Sequence, residues 1–451
     1  EGSPPELWSD LHESLGDSWW IPRRTRNWAQ AWQHYERSLG WWAGSKTVER
    51  ARQRYLDIVW KAAGASESGI RYYYGSYGNQ LPIEVLENVL KIADLDEDRA
   101  RAHYLIAMTL RNRRGGNANG VRVSEEFEAA VGIGAKTEWY DDALFHYANW
   151  ASRFGTAYYD DNGDLRLEPD YGKAIELFEQ LLKQFQKGET RYYDGARNAI
   201  KNITDPQITL SVANIYLPGS QVQIRMNRRN IEGVNVDIIP IELNRNVRFK
   251  DARSGPWQWL DAIEVGETSP LYTIDRNDSP KRAHYPVDSE IKLEMEIPVG
   301  AYLVQATGGG RSARDLLLVS DVSLVLKTSG RRTLGFFNDA ISGAPVAEAE
   351  IVVWEHIYEK GKWHWEKNSA TTDTDGLILF DQINTRQNRQ IFASAISGER
   401  QAFAIASGGL GYRGEGREWK VFAYPDRTAY RPEERVFWKI VARTQLDGAY
   451  E

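Results

Sequence analysis

The sharpest constraint on how this chain folds is a change of hydrophobic period at Asp205-Pro206. Upstream, apolar side chains recur as they do on one face of a helix; downstream they alternate with polar ones, as on one face of a strand. A segment patterned for one geometry cannot bury its apolar side chains in the other. The chain therefore reads as multidomain, α then β: an N-terminal α-helical array followed by antiparallel immunoglobulin-like β-sandwiches.

Within residues 1–204 the helical stretches are explicit. Asn27 to Leu39 is periodic and is expected to end at Gly40; Thr47 can cap the next helix, with Ala51, Tyr55, Ile58 and Val59 on its stripe. Pro82 opens a third, residues 98–111 form a fourth around Ala102, Leu105, Ala107 and Met108, and Glu138 to Phe154 and Tyr171 to Phe185 supply two more. Loops are expected at Gly115–Gly120 and Tyr158–Pro169. Ala143 to Trp150, and Tyr171 to Phe185 with Tyr192 to Ala196, resemble the two helices of a tetratricopeptide unit. The implied architecture is a tetratricopeptide-like array with a surface for a protein partner.

Tryptophan is concentrated at the start: of 17 in the chain, Trp8, Trp19, Trp20, Trp28, Trp32, Trp41, Trp42 and Trp60 fall at or before residue 60. The helical spacing of Trp28, Trp32 and Tyr35 favours packing between helices over a sugar-stacking platform.

Past Asp205 the strands are equally legible. Ile208, Leu210 and Val212 alternate, as do Val222, Ile224 and Met226, then Val234, Val236 and Ile238, and Pro298 to Ala306 with Asp315 to Val319 reads as a closing hairpin. This places one sandwich at 205–320. A second is expected at 321–417, with strands at Ser323–Leu326 and Ile351–Val353 and a tight Asp-Gly turn in Thr372 to Phe380. A third begins at 418–451, with Val436, Trp438, Ile440 and Ala442 on one face of its strand and Phe437, Lys439, Val441 and Arg443 on the other.

That last stretch carries a resemblance. Tyr424-Pro-Asp-Arg-Thr-Ala-Tyr-Arg-Pro432 and the strand after it resemble the "DRPxYRPGxxVxxKxxxR" pattern that opens a macroglobulin-like domain in the bacterial alpha-2-macroglobulin family. Asp426, Arg427, Tyr430, Arg431, Pro432, Val436, Lys439 and Arg443 match it. Thr428 replaces the usual first proline and Glu433 the turn glycine, which implies a different turn geometry. The Leu217-Pro-Gly-Ser220 segment with Arg229-Asn-Ile231 resembles the opening of the first macroglobulin-like domain in bacterial members of the family. The Asn338 to Ile351 and Thr372 to Phe380 segments follow a spacing that recurs in many extracellular sandwich modules, macroglobulins included, and supports the fold more than any activity. The eight matching residues are expected to position a strand and a domain junction. A sandwich needs about 100 residues, so the 418–451 domain reads as cut short and the chain as a fragment of a longer protein.

The remaining candidates favour structural readings. Asp160-Asp-Asn-Gly-Asp164 has oxygen ligands at alternate positions but Tyr171 where an EF-hand needs its glutamate, so a solvated turn is expected. Asp373 and Asp375 belong to a hairpin turn; His356 and His364 flank another, and His103 and His284 are unremarkable. Gly308-Gly-Gly310 leads into a strand and offers no helix N-terminus for phosphate. No nucleophile elbow, phosphate loop or H-E-x-x-H motif occurs, so no catalytic, metal or cofactor site is expected.

Composition narrows the partners. A net charge of −7 without long basic blocks argues against nucleic acid. No run of about 18 apolar residues exists to span a membrane as a helix. Cysteine is absent, which excludes disulfides and a cysteine nucleophile within these residues. The resemblance implies the scaffold of a non-enzymatic, broad-range protease inhibitor of the cell envelope or extracellular space, in a bacterium the periplasm. Its partners would be proteases, engaged through a bait segment and any thioester outside these residues. The alternative is a cell-surface interaction or adhesion protein that binds through the helical array and uses the sandwiches as spacers. A third possibility is an envelope enzyme whose catalytic domain lies elsewhere.

Overall fold

The computed structural model describes residues 5–21, 27–70, 81–112, 116–213, 215–250, 255–277, 282–329, 332–359, 361–381, 389–408, 418–425, 435–446 and 449–450. The chain divides into two compact units, Glu1–Asp205 and Pro206–Glu451. The first is helical and the second consists of antiparallel sheets with one short parallel pairing.

The first unit runs α1 (Glu6–Trp20), α2 (Trp28–Ala43), α3 (Val48–Ile70), α4 (Ile83–Ile92), α5 (Asp96–Asn112), α6 (Gly116–Ile133) and α7 (Tyr140–Phe154). A hairpin of β1 (Thr156–Tyr159) and β2 (Leu165–Glu168) follows, then α8 (Tyr171–Gln184) and α9 (Tyr193–Thr204). Consecutive helices pack on one another and bury Tyr35, Ile58, Leu86, Ile106, Phe127, Leu144 and Phe178 between them. Asn27 caps α2 by accepting from the Gln30 amide, and Asp170 caps α8 by accepting from the Lys173 amide at 2.9 Å.

Three expectations in this unit need correction. First, α2 does not stop at Gly40 but continues to Ala43, because Trp42 in its last turn is buried. Second, the presumed loop at Gly115–Gly120 is helical from Gly116 onward. Gly120 is there for close approach: a Cβ would sit 2.1 Å from Leu167 Cδ1, on the hairpin that lies across α6. Third, the presumed loop at Tyr158–Pro169 is that hairpin, with Thr156 opposite Glu168. Each missed element depends on a neighbour distant in sequence.

The tryptophans of this unit mostly pack. Trp20 and Trp42 are buried, Trp28 stacks on Trp32 at 5.6 Å, and the Arg101 guanidinium lies between the Trp60 and Trp139 rings at 4.5 and 5.0 Å. Trp19 remains exposed.

The second unit contains β3 (Gln207–Val212), β4 (Ile215–Tyr216), β5 (Gln223–Arg229), β6 (Val234–Ile241), the short α10 (Leu243–Asn246), a 3₁₀ turn (Pro256–Ala262), β7 (Tyr272–Arg276), β8 (Val287–Lys292), β9 (Gly300–Gly308) and β10 (Arg311–Val319). Sheet β3-β5-β8 faces sheet β4-β10-β9-β6-β7 across a core of Ile224, Met226, Ile291, Val236, Ile238, Val304, Ala306 and Leu317. Next come β11 (Val322–Ser329), β12 (Arg332–Asp339), β13 (Glu350–Glu359), β14 (Lys362–Thr371), β15 (Leu377–Asp381), β16 (Arg389–Ser397) and β17 (Arg400–Gly408). Here sheet β11-β12-β15 faces β14-β13-β16-β17 across Leu324, Phe337, Ile378, Ile351, Val353, Ile391 and Ala393. A last sheet joins β18 (Glu418–Pro425), β19 (Trp438–Leu446) and β20 (Ala449–Tyr450).

Turn chemistry supports these sheets. The β9–β10 hairpin turns on Gly309 and Gly310 at φ +54° and +72°, the pattern of a tight hairpin. Gly376 stands at φ +68°, where a Cβ would lie 2.5 Å from the Phe337 carbonyl oxygen. Asp373 Oδ1 accepts from the Asp375 and Leu377 amides at 3.0 and 2.8 Å, which locks the Asp-Gly turn ahead of β15.

Candidate functional site

Beyond the cores inside the two sandwiches, this unit has a third core that lies between them. Strands β6, β9 and β10 carry apolar side chains on both faces, so the face turned away from their own sandwich must be covered. Ile239, Ile241, Ala301, Leu303, Leu316 and Leu318 form that outer face. The excursion after β6 lays Leu243, Val247, Phe249, Trp259 and Ile263 over it, and Phe392 of β16 closes the cluster with Phe403, Ile405, Trp354 and Trp365 packed around it. Trp259 lies 5.0 Å from Phe392 and 4.8 Å from Phe403; Phe249 stacks on Trp365 at 3.9 Å.

Polar contacts set the register of this junction. The buried Gln401 amide spans the β6–α10 corner: its Oε1 accepts from the Leu243 amide at 2.8 Å and its Nε2 donates to the Ile241 carbonyl at 3.0 Å. Asn244 Nδ2 donates to the Glu350 carbonyl at 3.0 Å. At the adjoining edge Arg400 donates to Asp321 and Asp339 at 2.7 and 2.8 Å. Hydrogen bonds from the Ser342 amide and hydroxyl, aided by Arg400, hold the Asp339 carboxyl below the usual carboxylate range. The arrangement is a packed, hydrogen-bonded joint between the two sandwiches.

A polar network in the helical unit deserves the same test. Tyr192, just before α9, donates to Asp142 Oδ1 at 2.6 Å and lies 3.5 Å from His146 Nε2, while Arg111 donates to His146 Nδ1 at 3.3 Å. Arg191 also pairs with Asp142. Burial, with Arg111 and Arg191 nearby, pulls the His146 imidazole down to about 3; burial pushes the Asp142 carboxyl up, against the pull of Tyr192 and Arg191. The network ties the start of α9 to α5 and α7.

The residues singled out from the sequence are not gathered into one site. Asp426, Arg427, Tyr430, Arg431 and Pro432 lie outside the described residues, as do Thr428 and Glu433. Val436 precedes β19 and Lys439 and Arg443 lie on it; all three are exposed. Register places Trp438, Ile440 and Ala442 opposite Pro425, Ala423 and Val421, so one face of this sheet is apolar. Trp419, Val421, Trp438 and Ile440 on that face are all more than 60% exposed.

In the acidic loop, the Asp160 carboxylate accepts from the Asn162 and Asp164 amides and from Arg166 Nε at 3.0, 2.9 and 2.7 Å, so the turn uses the oxygens a cation would need. His356 and His364 cannot share an ion. His356 pairs with Trp365 across the ladder, so adjacent His364 points to the opposite face. His356 instead sits between the Trp363 and Trp365 rings at 4.4 and 4.5 Å. His103 meets Glu126 at 2.7 Å and His284 meets Asn230 at 2.9 Å. A shallow recess of about 400 Å³ beside Gly308 and Gly310 is lined by Asn235, Asn277, Thr307 and Arg311. No cluster of three or more potential metal ligands occurs among the described residues. No described helix is long and apolar enough to cross a membrane.

Sequence reasoning missed Gln401, Phe392, Trp259 and the excursion that carries Leu243. The unbroken apolar run Leu316-Leu-Leu-Val319 was the available signal, since a strand buried on one face alone would alternate.

A helical region followed by antiparallel β-sandwiches is the architecture that this fold defines. No family model matches the chain. Over 148 residues, 33% of its length, the chain is 26% identical to an alpha-2-macroglobulin of Ralstonia nicotianae (strain ATCC BAA-1114 / GMI1000). It spans only 9% of the length of that relative. Among solved structures it is similar to native alpha-2-macroglobulin from Escherichia coli spanning domains MG0-NIE-MG1, at 16% identity and a TM-score of 0.29, covering 44% of this chain and 64% of that one. A cryo-EM reconstruction of the native conformation of the E. coli protein is similar at 11% identity and a TM-score of 0.21, covering 54% of this chain and 17% of that one. Over the matched stretch the chain is similar to a bacterial alpha-2-macroglobulin.

Proposed function

We propose that this chain is scaffold from a bacterial macroglobulin-type protease trap: a protein that is cut by a protease at an exposed bait segment, rearranges, and encloses its attacker. The observation that carries this reading is the 26% identity to an alpha-2-macroglobulin over 148 residues. On this reading the chain is not an enzyme and takes no cofactor. The bait lies elsewhere in the protein, as does any thioester, since these 451 residues contain no cysteine. We assign 205–320 and 321–417 as successive macroglobulin-like domains and 418–451 as the start of a third. Asp426, Arg427, Tyr430, Arg431, Pro432, Val436, Lys439 and Arg443 shape the junction into that third domain. The helices of 1–204 act as a tetratricopeptide-like docking arm for a protein partner. The compartment is the cell envelope, with the periplasm as the site where proteases are met.

Mechanically the reading needs elements that transmit a cleavage event without unfolding. The full-length protein incubated with several unrelated proteases should be cut first within one short segment and should then become more compact by small-angle scattering. Cleavage at scattered sites with no change in dimensions would sink the trap reading. Partner capture by residues 1–204 alone, without a protease-triggered change, would instead establish an interaction protein.

A further inference from the structure

The packing of α1 on α2 contains a two-histidine contact that the proposed function does not use. His12 of α1 and His34 of α2 approach with Nδ1 to Nδ1 at 2.9 Å, their rings stacked at 5.2 Å between centroids and 29° between planes. His12 is only 8% exposed, and Trp8 sets its ring edge against it at 4.2 Å. At that separation one ring nitrogen must donate and the other accept. A neutral pair satisfies this, and so does a singly protonated pair, in which the imidazolium donates to its neutral neighbour. A second proton leaves no acceptor and sets two cations in contact.

The surroundings do nothing to soften that repulsion. On α2, Arg37 adds positive charge beside His12, and the Tyr35 hydroxyl donates to Asp17. On α1, the carboxylates of Glu13 and Asp17 are engaged by Lys61 of α3, and those of Asp10 and Glu13 by Arg54 of α3. Burial, then His34 and Arg37, hold the His12 imidazole below the ordinary histidine range. Histidine is the side-chain type whose charge changes nearest neutral pH, so this pair is the natural acid-sensitive contact between α1 and α2. Besides the Tyr35–Asp17 bond, the interface is tied by the Ser9 and Ser38 hydroxyls, which meet at 2.7 Å, and by Trp20, which packs on Trp28 at 4.8 Å.

We propose that the His12–His34 pair is an acid-released latch: α1 stays docked on α2 while the pair carries no more than one proton, and the second proton frees α1 and uncovers the apolar side chains beneath it. Those include Tyr35, whose ring packs so closely under Gly16 that a Cβ there would lie 2.7 Å from it. The latch belongs to residues 6–43 and stands whether or not the protein traps proteases.

Hydrogen exchange on the whole chain at about pH 7.5, 6 and 4.5, corrected for the intrinsic pH dependence of exchange, reads the latch locally. Peptides within 6–20 should lose about tenfold or more of their protection at the lowest pH, while α8 keeps its own. His12→Phe keeps a ring against Trp8 but takes no proton, and it should abolish the step. An unchanged α1 in the parent, or the same step in H12F, overturns the proposal. Should H12F not fold at neutral pH, the parent's imidazole resonances decide. Uptake of the second proton displaced to lower pH and coincident with changes in α1 supports the latch. Two independent titrations at the ordinary histidine value overturn it.

Discussion

Gln401 shows how much can rest on one neutral side chain. Its amide offers one acceptor and one donor to a corner where the Leu243 amide and the Ile241 carbonyl have left their strand ladder. Gln401→Leu keeps the approximate volume and removes both bonds, leaving two buried backbone groups unpaired at roughly 1–3 kcal/mol each. Thermal unfolding of Pro206–Glu451 should shift down accordingly, and an unchanged midpoint would show that water reaches the corner. His146 is the complementary case, a residue whose environment forbids its charge. Its folded value is about 3, against an ordinary 6.5. The unfolded chain therefore binds the proton first, and its stabilising effect is complete above pH 6.5 and is lost as pH falls towards 3. The slope is at most about 1.4 kcal/mol per pH unit. Asp142, pushed up by burial, acts in the opposite sense and offsets part of it. Chemical denaturation of residues 1–205 at a series of pH values should show stability declining through this window for the parent, and a flatter profile for His146→Gln.

At the scale of elements, the excursion from Leu243 to Ile263 decides how the sandwiches meet. Its described residues form only a short helix and a 3₁₀ turn, yet they supply five buried apolar side chains to the core between the sandwiches. Phe392 is the side chain from the second sandwich that completes this core, and it is fully buried. Phe392→Ala should cost about 3–5 kcal/mol through lost burial and the cavity left behind. Amide exchange should rise both in β16 and in the 3₁₀ turn Pro256–Ala262, which are far apart in sequence. A rise confined to β16 would mean that the excursion is held by its own strand alone. The β1–β2 hairpin is a second element of this kind: its Leu167 occupies the space that Gly120 leaves on α6.

For the whole molecule, each unit carries its own buried core, and each should fold without the other. Residues 1–205 expressed alone should give a helical circular dichroism spectrum and a cooperative melt, and residues 206–451 a sheet spectrum. Failure of either to fold alone would show that its stability depends on the other. Within the second unit the shared core makes the two sandwiches one cooperative body.

The change from helices to sheets at Asp205, the positions of Asp-Gly and Gly-Gly turns and the faces of several strands were legible in the sequence. They depend on local period and backbone chemistry: Val234, Val236 and Ile238 alternate because every second side chain of β6 faces a core. The same logic exposed Asp160 and Asp373 as turn-formers, since their carboxylates bond amides only a few residues away. Tertiary structure alone decided that α2 runs past Gly40, that α6 includes Gly120, and that the outer faces of two sheets close around Trp259 and Phe392. Each of those outcomes depends on a surface contributed from elsewhere in the chain. Periodicity records which side chains need burial but not which partner buries them.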